Sequence, residues 1–332
     1  MFEGEVLVVG LGSIGERHVR NLHALGQRDI TVLRRASTPP RTLDGTEYQT
    51  ITDVDEAFTR RPIAVIIAAP TALHAEFLER AIELGAAVLV EVPLAHALTD
   101  LQRLAQRATE TGARILIGHN LRFHPSLRSI RAAVRAGAVG QPLYSRAQFG
   151  EYLPDCHPWQ DYRDRYEARA DLGGGVILTS IHEIDNAFWL FGPVEAVTCV
   201  ARRRELNVDV EDVAMIVLEH TSEVLSAITL DFVQRTYRRN LQIAGREGTI
   251  EWDFLDDHVK VFTSKSGDWT ELFRLEDYDV NETYLDELRH FARVASAVEE
   301  PLTNLDAGIH VLRVALDALE SSTLRCRVET AI

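Results

Sequence analysis

Over the first third of the chain, short runs that are apolar at every position alternate with longer stretches that are apolar only at helical spacing. Val6-Leu7-Val8-Val9 is continuously apolar, as a strand buried on both faces requires. The stretch after it places Val19, Leu22 and Leu25 on one helical face. Residues 29–33 read as a second short strand, and residues 53–58 as the start of a helix. Residues 63–68 read as a buried parallel strand, followed by a helix through Phe77, Ala81 and Leu84. Further strands are expected at 87–90 and 113–118. Strand and helix in strict alternation predict a parallel, doubly wound sheet.

Beyond about residue 120 the rhythm changes. A helix at 126–136 precedes a strand at 142–149, and then comes a loop dense in polar and aromatic residues: Tyr152, Asp155, His157, Trp159, Asp161, Tyr162, Arg163 and Tyr166. Gly173-Gly174-Gly175 leads into a helical pattern over 176–191. Strand-like runs follow at 194–201, 213–219, 224–232, 240–244, 249–253 and 258–263, with a hairpin turn at 245–248. Amphipathic helices at 282–298 and 305–319 complete the pattern. The expected fold is α/β: a doubly wound parallel Rossmann sheet in residues 1–120, and an α+β domain with an open, mainly antiparallel sheet in residues 121–332.

The turn between the first strand and helix reads Gly10-Leu11-Gly12-Ser13-Ile14-Gly15. In that context GxGxxG is a dinucleotide fingerprint. Gly10 permits the tight turn, Gly12 lets backbone approach a pyrophosphate, and Gly15 lets the helix lie close to the strand. The amides at Ser13, Ile14 and Gly15 then face the phosphates. The second strand ends in Arg34-Arg35-Ala36-Ser37, where an NAD-specific site would place an acidic residue on the ribose 2′-hydroxyl. Arg34, Arg35 and Ser37 suit a 2′-phosphate instead, which favours NADP over NAD; a solvated arginine pair is the alternative. Ends of parallel strands face the ligand crevice, so Pro70, Thr71 and His74, then Glu91 and Pro93, and then Asn120 are expected around the cofactor.

Composition narrows the partners. The 332 residues carry a net charge of −15, which disfavours nucleic acid and anionic membrane surfaces. No apolar run approaches the ~18 residues of a membrane span, and the start does not resemble a signal peptide. Three cysteines, Cys156, Cys199 and Cys326, without metal-type spacing suggest reduced thiols in a cytoplasm. No metal site is expected, since no HExxH or CxxC occurs. Of 35 basic residues only Lys260 and Lys265 are lysine. Arginine holds anions but does not exchange protons near neutrality, so proton transfer falls to other side chains.

Taken together, Gly10 to Gly15 with His18, Ala69-Pro70-Thr71-x-x-His74, Glu91-Val92-Pro93-Leu94, Asn120-Leu121-Arg122-Phe123 and Gly173-Gly174-Gly175 leading to His182 carry a resemblance. The chain resembles the glucose-fructose oxidoreductase/inositol dehydrogenase (Gfo/Idh/MocA) family of NAD(P)-dependent sugar and cyclitol oxidoreductases. The stretch from Tyr152 through Asp155, His157, Pro158 and Asp161 to Arg163 looks like a subgroup associated with surface-sugar clusters. The resemblance implies hydride transfer between nicotinamide and a secondary alcohol or ketone of a sugar, nucleotide sugar or cyclitol. It also implies an open sheet that buries its face in a homodimer or homotetramer. Where the family usually has Glu-Lys-Pro with a proton-transferring lysine, this chain has Val92. Where the family often has a carboxylate one turn before the histidine, it has Thr179.

His182 is therefore the candidate proton carrier, because an imidazole titrates near neutrality. Thr179 and Asp185, three residues to either side, are expected on its face, with Asp185 or Glu183 orienting the ring. Tyr162 and Tyr166 are further candidate proton donors, near Arg163 or Arg165. His157, Tyr162, Arg163 and Thr179 are candidate substrate contacts. Arg235, in a group with Arg238 and Arg239, is a candidate seat for an anionic group on the substrate. The other reading of the chain is a cofactor-binding protein without ordinary redox turnover, kept open by Val92 and Thr179. A third uses the cofactor for transient oxidation in a non-redox elimination or hydrolysis.

Overall fold

The computed structural model describes residues 1–34, 42, 43, 45 and 48–331. Contacts divide the chain into two units. One holds Met1–Asn120 and Val280–Ile309, and the other holds Leu121–Asp279 and the residues from His310 onward. The stretch 280–309, expected in the second domain, belongs with the first unit.

The first unit begins with β1 (Val6–Val9), α1 (Ser13–Ala24), β2 (Ile30–Leu33), β3 (Gln49–Ile51), α2 (Val54–Thr59) and β4 (Ala64–Ile67). It continues with α3 (His74–Leu84), β5 (Ala87–Glu91), α4 (Leu101–Thr111) and β6 (Ile115–Gly118). The six strands lie in the order β3-β2-β1-β4-β5-β6, and every pair is parallel. This is the doubly wound arrangement, whose order reverses between β1 and β4 and opens a ligand crevice at the carboxyl ends there. β1, β2, β4 and β6 are buried at every position, which is why they read as unbroken apolar runs. Helices stop where the chemistry says they should. Asp53 caps α2 by accepting from the Glu56 amide, and Gly85 and Gly112 close α3 and α4 in the left-handed conformation.

The second unit comprises α5 (Pro125–Arg135), β7 (Pro142–Tyr152), α6 (Leu153–Cys156), α7 (Val176–Thr179) and α8 (His182–Phe191). Then come β8 (Val194–Arg202), β9 (Val213–His220), β10 (Leu225–Asp231), β11 (Val233–Gly245), β12 (Gly248–Asp253), β13 (His258–Thr263) and β14 (Trp269–Arg274). Along the chain come next α9 (Asn281–Ala295), which is outside this unit, then α10 (Leu305–Leu324), whose residues from His310 onward are in it, and the short β15 (Val328–Glu329). The nine strands run β14-β13-β12-β11-β7-β10-β9-β8-β15, antiparallel except for β7 beside β10. Alternation along β8, β9 and β10 buries one face and leaves the other open. On the open face Val200, Met215 and Val217 remain 54%, 62% and 41% exposed, with Val200 directly opposite Met215.

α9 belongs to the first unit. Leu288 and Phe291 are fully buried in one cluster with Val6 and Val8 of β1, Val19 and Leu22 of α1, and Ile66 of β4. The helix 176–191 expected from periodicity is broken. α7 ends at Thr179 and α8 starts at His182, so Thr179 and His182 do not share one continuous helical face.

Candidate functional site

The glycine turn has the geometry its sequence predicts, each glycine for a separate reason. Gly10 has φ +97, and a Cβ there would stand 2.6 Å from the Ala68 carbonyl oxygen. A Cβ on Gly15 would stand 2.2 Å from the Gly10 carbonyl oxygen. Gly12 is the opposite case: nothing lies within 4 Å of its Cβ position. Gly12 is also the N-cap of α1 and supplies no side-chain cap, so the first-turn amides at Ser13, Ile14 and Gly15 point out without an intrahelical acceptor. Open space over a glycine at an uncapped helix N-terminus, at the reversal of strand order, fits a dinucleotide pyrophosphate.

At the end of β2, the Arg34 amide donates to the Ile51 carbonyl and the residue is half-buried. Arg35 and Ser37 lie outside the described residues. Glu16, one turn into α1, is buried and accepts from the amide and hydroxyl of Thr42 at 3.1 and 2.6 Å.

At the ends of β4 and β5 the expected residues cluster. Pro70 is exposed, and Thr71 is buried at the start of a short 3-10 turn. His74 is fully buried, with Nδ1 2.9 Å from the Pro93 carbonyl and Nε2 2.8 Å from the Ala69 carbonyl. It thus ties the segment after β4 to the segment after β5. Burial pushes its pKa down, against the two carbonyls and Glu91, which pull it up. Glu91 closes β5 and meets Nε2 of the buried His18 at 2.5 Å. Asn120, expected on the cofactor, is buried and donates from Nδ2 to the Thr283 hydroxyl at 2.9 Å.

In the second unit, His182 is half-buried as the first residue of α8. The helix turn it opens is laid on two buried ion pairs. Asp185 accepts from Arg122 Nε at 2.9 Å and Nη2 at 2.6 Å, with both side chains under 5% exposed. Glu183 accepts from Arg239 Nε at 2.8 Å. Burial raises the Glu183 carboxyl, and Arg239 opposes it. The planar Arg122 guanidinium thus grips the Asp185 carboxylate in a two-bond fork. Thr179 likewise turns its hydroxyl to the Gly175 carbonyl, 2.8 Å away.

The triple glycine before this helix is a packing device. A Cβ on Gly174 would stand 2.3 Å from the Tyr166 carbonyl oxygen. One on Gly175, at φ +106, would stand 2.4 Å from Glu211 Oε1. That same Oε1 accepts from the Ile177 amide at 3.0 Å, so Glu211 holds the start of α7.

Side chains of the polar-aromatic loop contact one another. The His157 and Trp159 rings lie 4.9 Å apart, and Tyr162 is half-buried in a short 3-10 turn capped by Asp161. Arg163 is engaged by Asp161, which its guanidinium holds down to about pKa 2. The expected arginine group divides. Arg239 is buried with Glu183, Arg238 pairs with Asp253 at 3.0 Å, and Arg235 lies 3.6 Å over the Tyr152 ring. These three residues lie inside β11 rather than after a strand, and Arg235 is exposed.

Two residues escaped the sequence reading. Glu287 on α9 is fully buried, and its two carboxylate oxygens have no hydrogen-bond partner. The available signal was a charge set in the apolar stripe of Leu288, Phe291 and Val294. Glu211 left no such signal, because its contact with Gly175 and Ile177 is long-range. Among the described residues no group of three or more histidines, cysteines, aspartates or glutamates is placed to hold a metal ion, and no helix is long and apolar enough to cross a membrane.

The profile of an oxidoreductase family with an NAD-binding Rossmann fold matches residues 5–119, and that of the GFO/IDH/MocA C-terminal domain matches residues 127–251. The scyllo-inositol 2-dehydrogenase (NAD(+)) of Bacillus subtilis is 28% identical over 340 residues, covering 95% of this chain and 92% of that protein. The D-apiose dehydrogenase of Paraburkholderia graminis is 30% identical over 193 residues, 56% of this chain and about half, 49%, of that relative. Levoglucosan dehydrogenase, solved with NADH and levoglucosan, superposes with a TM-score of 0.86 at 17% identity over 99% of both chains, a likeness of fold.

Proposed function

Because this chain belongs to the Gfo/Idh/MocA family of NAD-binding oxidoreductases, we propose that it transfers a hydride between nicotinamide and a secondary alcohol or ketone on a sugar, nucleotide sugar or cyclitol. The observation that carries the reading is the cradle over Gly12, open at the N-terminus of α1 where the strand order reverses. Gly10, Gly12, Ser13, Ile14 and Gly15 would hold the pyrophosphate. Thr71 and Pro93 would wall the same crevice. The bound cofactor supplies the hydride acceptor or donor, a capacity that no side chain of this protein has.

What the chain itself must supply is a group for the hydroxyl proton. His182 takes that proton on its imidazole. Its helical neighbours Glu183 and Asp185 are neutralised by Arg239 and Arg122, so they hold the helix in place and leave the proton to His182. Tyr162, His157 and Arg235 supply polar and cationic contacts for substrate hydroxyls or an anionic group. The preferred cofactor is NADP, resting on Arg34 and Arg35 where an acidic residue would select NAD. A second copy of the chain covers the open sheet face at Val200, Met215 and Val217.

The test is a panel of keto-sugars, cyclitols and their alcohols, with reduced-nicotinamide absorbance followed in both directions. Turnover that disappears in His182→Ala while cofactor affinity is kept supports the reading. Arg34→Ala should weaken NADPH far more than NADH, and equal loss sinks the NADP preference. Two observations favour a second reading, a cofactor-binding protein without turnover: Val92 stands in the lysine position, and the Thr179 hydroxyl donates to the Gly175 carbonyl. Tight cofactor binding with no absorbance change across the panel would favour it.

A further inference from the structure

Glu287 is an acid without a counter-charge. It has no solvent exposure, and neither carboxylate oxygen has a hydrogen-bond partner. Ionised, such a group is among the most costly that a fold can bury. Its helix α9 packs on α1, β5 and β6. β6 brings no ionisable side chain. α1 brings His18, already 2.5 Å from Glu91, and Arg17, whose guanidinium lies 4.5 Å from the Tyr284 ring centre. β5 brings Glu91, a second carboxylate. On α9 itself, Asp286 pairs with Arg289 and His290 with Glu299. Burial first, and then the charge of Glu91, push the Glu287 carboxyl well above the usual range.

Glu91 is the last residue of β5, at the end of the sheet where a parallel fold receives its ligand. Room for it is made by Gly118, the residue opposite in β6, where a Cβ would stand 3.2 Å from Glu91 Oε2. Val92, next in the chain, adds no charge. The partly exposed Glu91 thus stands between a fully buried, partnerless acid and the cofactor end of the sheet.

We propose that Glu91 and Glu287 form a proton-linked pair that responds to the charge of the bound nicotinamide. This deepens the cofactor reading and rests on it. The oxidised ring is cationic and favours the ionised Glu287 carboxylate, so its binding expels the proton of Glu287 to solvent. The reduced ring is neutral and leaves that proton in place. The pair makes affinity for the oxidised cofactor rise with pH, while affinity for the reduced cofactor stays level.

Calorimetric titration of the full chain with the oxidised and the reduced cofactor tests this, using whichever of NAD and NADP binds more tightly. Buffers of different ionisation enthalpy report the protons released, and the titrations run from about pH 6 to about pH 9. The oxidised form should release up to one proton, with its Kd falling by up to about tenfold per pH unit, and the reduced form should do neither. In Glu287→Gln the release should vanish and the two curves should run parallel. Glu287→Leu, which removes the acid altogether, gives the same comparison if the amide variant does not fold. Equal release by both forms, or release that persists without Glu287, overturns the proposal. Failure of either form to bind overturns the cofactor reading and the pair with it.

Discussion

The Arg122 guanidinium grips the Asp185 carboxylate through two hydrogen bonds of 2.9 and 2.6 Å, and both side chains are buried. Removing one partner strands the other charge out of water. Asp185→Ala should therefore cost about 3–5 kcal/mol of stability, read as a lowered denaturation midpoint. The double variant Arg122→Met/Asp185→Leu should recover much of that loss, because an apolar pair of similar size leaves no buried charge. If Asp185→Ala melts like the parent and loses only activity, Asp185 acts on the chemistry and the structural assignment fails.

The three glycines of the fingerprint should separate by substitution. Gly15→Ala drives a Cβ to 2.2 Å from the Gly10 carbonyl and should destabilise the first unit. Gly12→Ala meets nothing within 4 Å. It should fold with the parent's melting temperature yet bind cofactor at least about tenfold more weakly, since the methyl fills the pyrophosphate position. Unchanged affinity in Gly12→Ala would remove the cradle from the binding site.

Glu211 gives stability a pH dependence of a particular sign. Burial raises its pKa from 4.5 to about 7 in the folded chain. Between those values the folded state holds a proton that the unfolded state has lost, so stability falls as pH rises through the interval and is level above it. Glu211 keeps partial solvent contact, which brings the effect to about 2 kcal/mol. Glu211→Gln retains an acceptor for the Ile177 amide and should lack this slope. Urea unfolding at pH 5 and pH 8 should show the variant gaining on the parent at the higher pH; a constant difference would rule the assignment out.

The exposed row Val200, Met215 and Val217 should be a contact between copies of the chain. Met215→Glu places a charge at a residue 62% exposed, where it harms no buried packing in the single chain. Light scattering should show the assembly shifted toward monomer with the circular dichroism unchanged. An unaltered assembly would move the interface elsewhere.

Much of the first unit was legible because its signals are local. A strand buried on both faces must be apolar at every position, and a glycine turn before a helix has few other uses. β3 was not legible: its three residues have the burial pattern exposed, exposed, buried, and carry no periodicity. The break between α7 and α8 escaped for the opposite reason, since Ile177, Leu178, Ile181 and Ile184 keep helical spacing straight across it. β11 starts at Val233, well before the expected 240, because Arg235, Arg238 and Arg239 look like surface loop until Glu183, Asp253 and Tyr152 are brought beside them. The His182 helix is legible in the sequence, but the Arg122 fork on Asp185 is not. Spacing tells which residues share a face; it does not tell which arginine arrives from far along the chain.

The return of α9 to the first unit sets the order in which the protein can be completed during synthesis. Val6, Val8, Val19 and Leu22 emerge from the ribosome first, yet Leu288 and Phe291, which close their cluster, come more than 250 residues later. All strands of the second sheet but the last two-residue β15 have been made before that point. The nucleotide-binding unit must wait, incompletely covered, while its neighbour becomes free to fold. Translation speed and chaperone capture over that interval therefore act on the earliest residues of the chain, and a destabilising change in α9 will show itself as loss of an N-terminal fold.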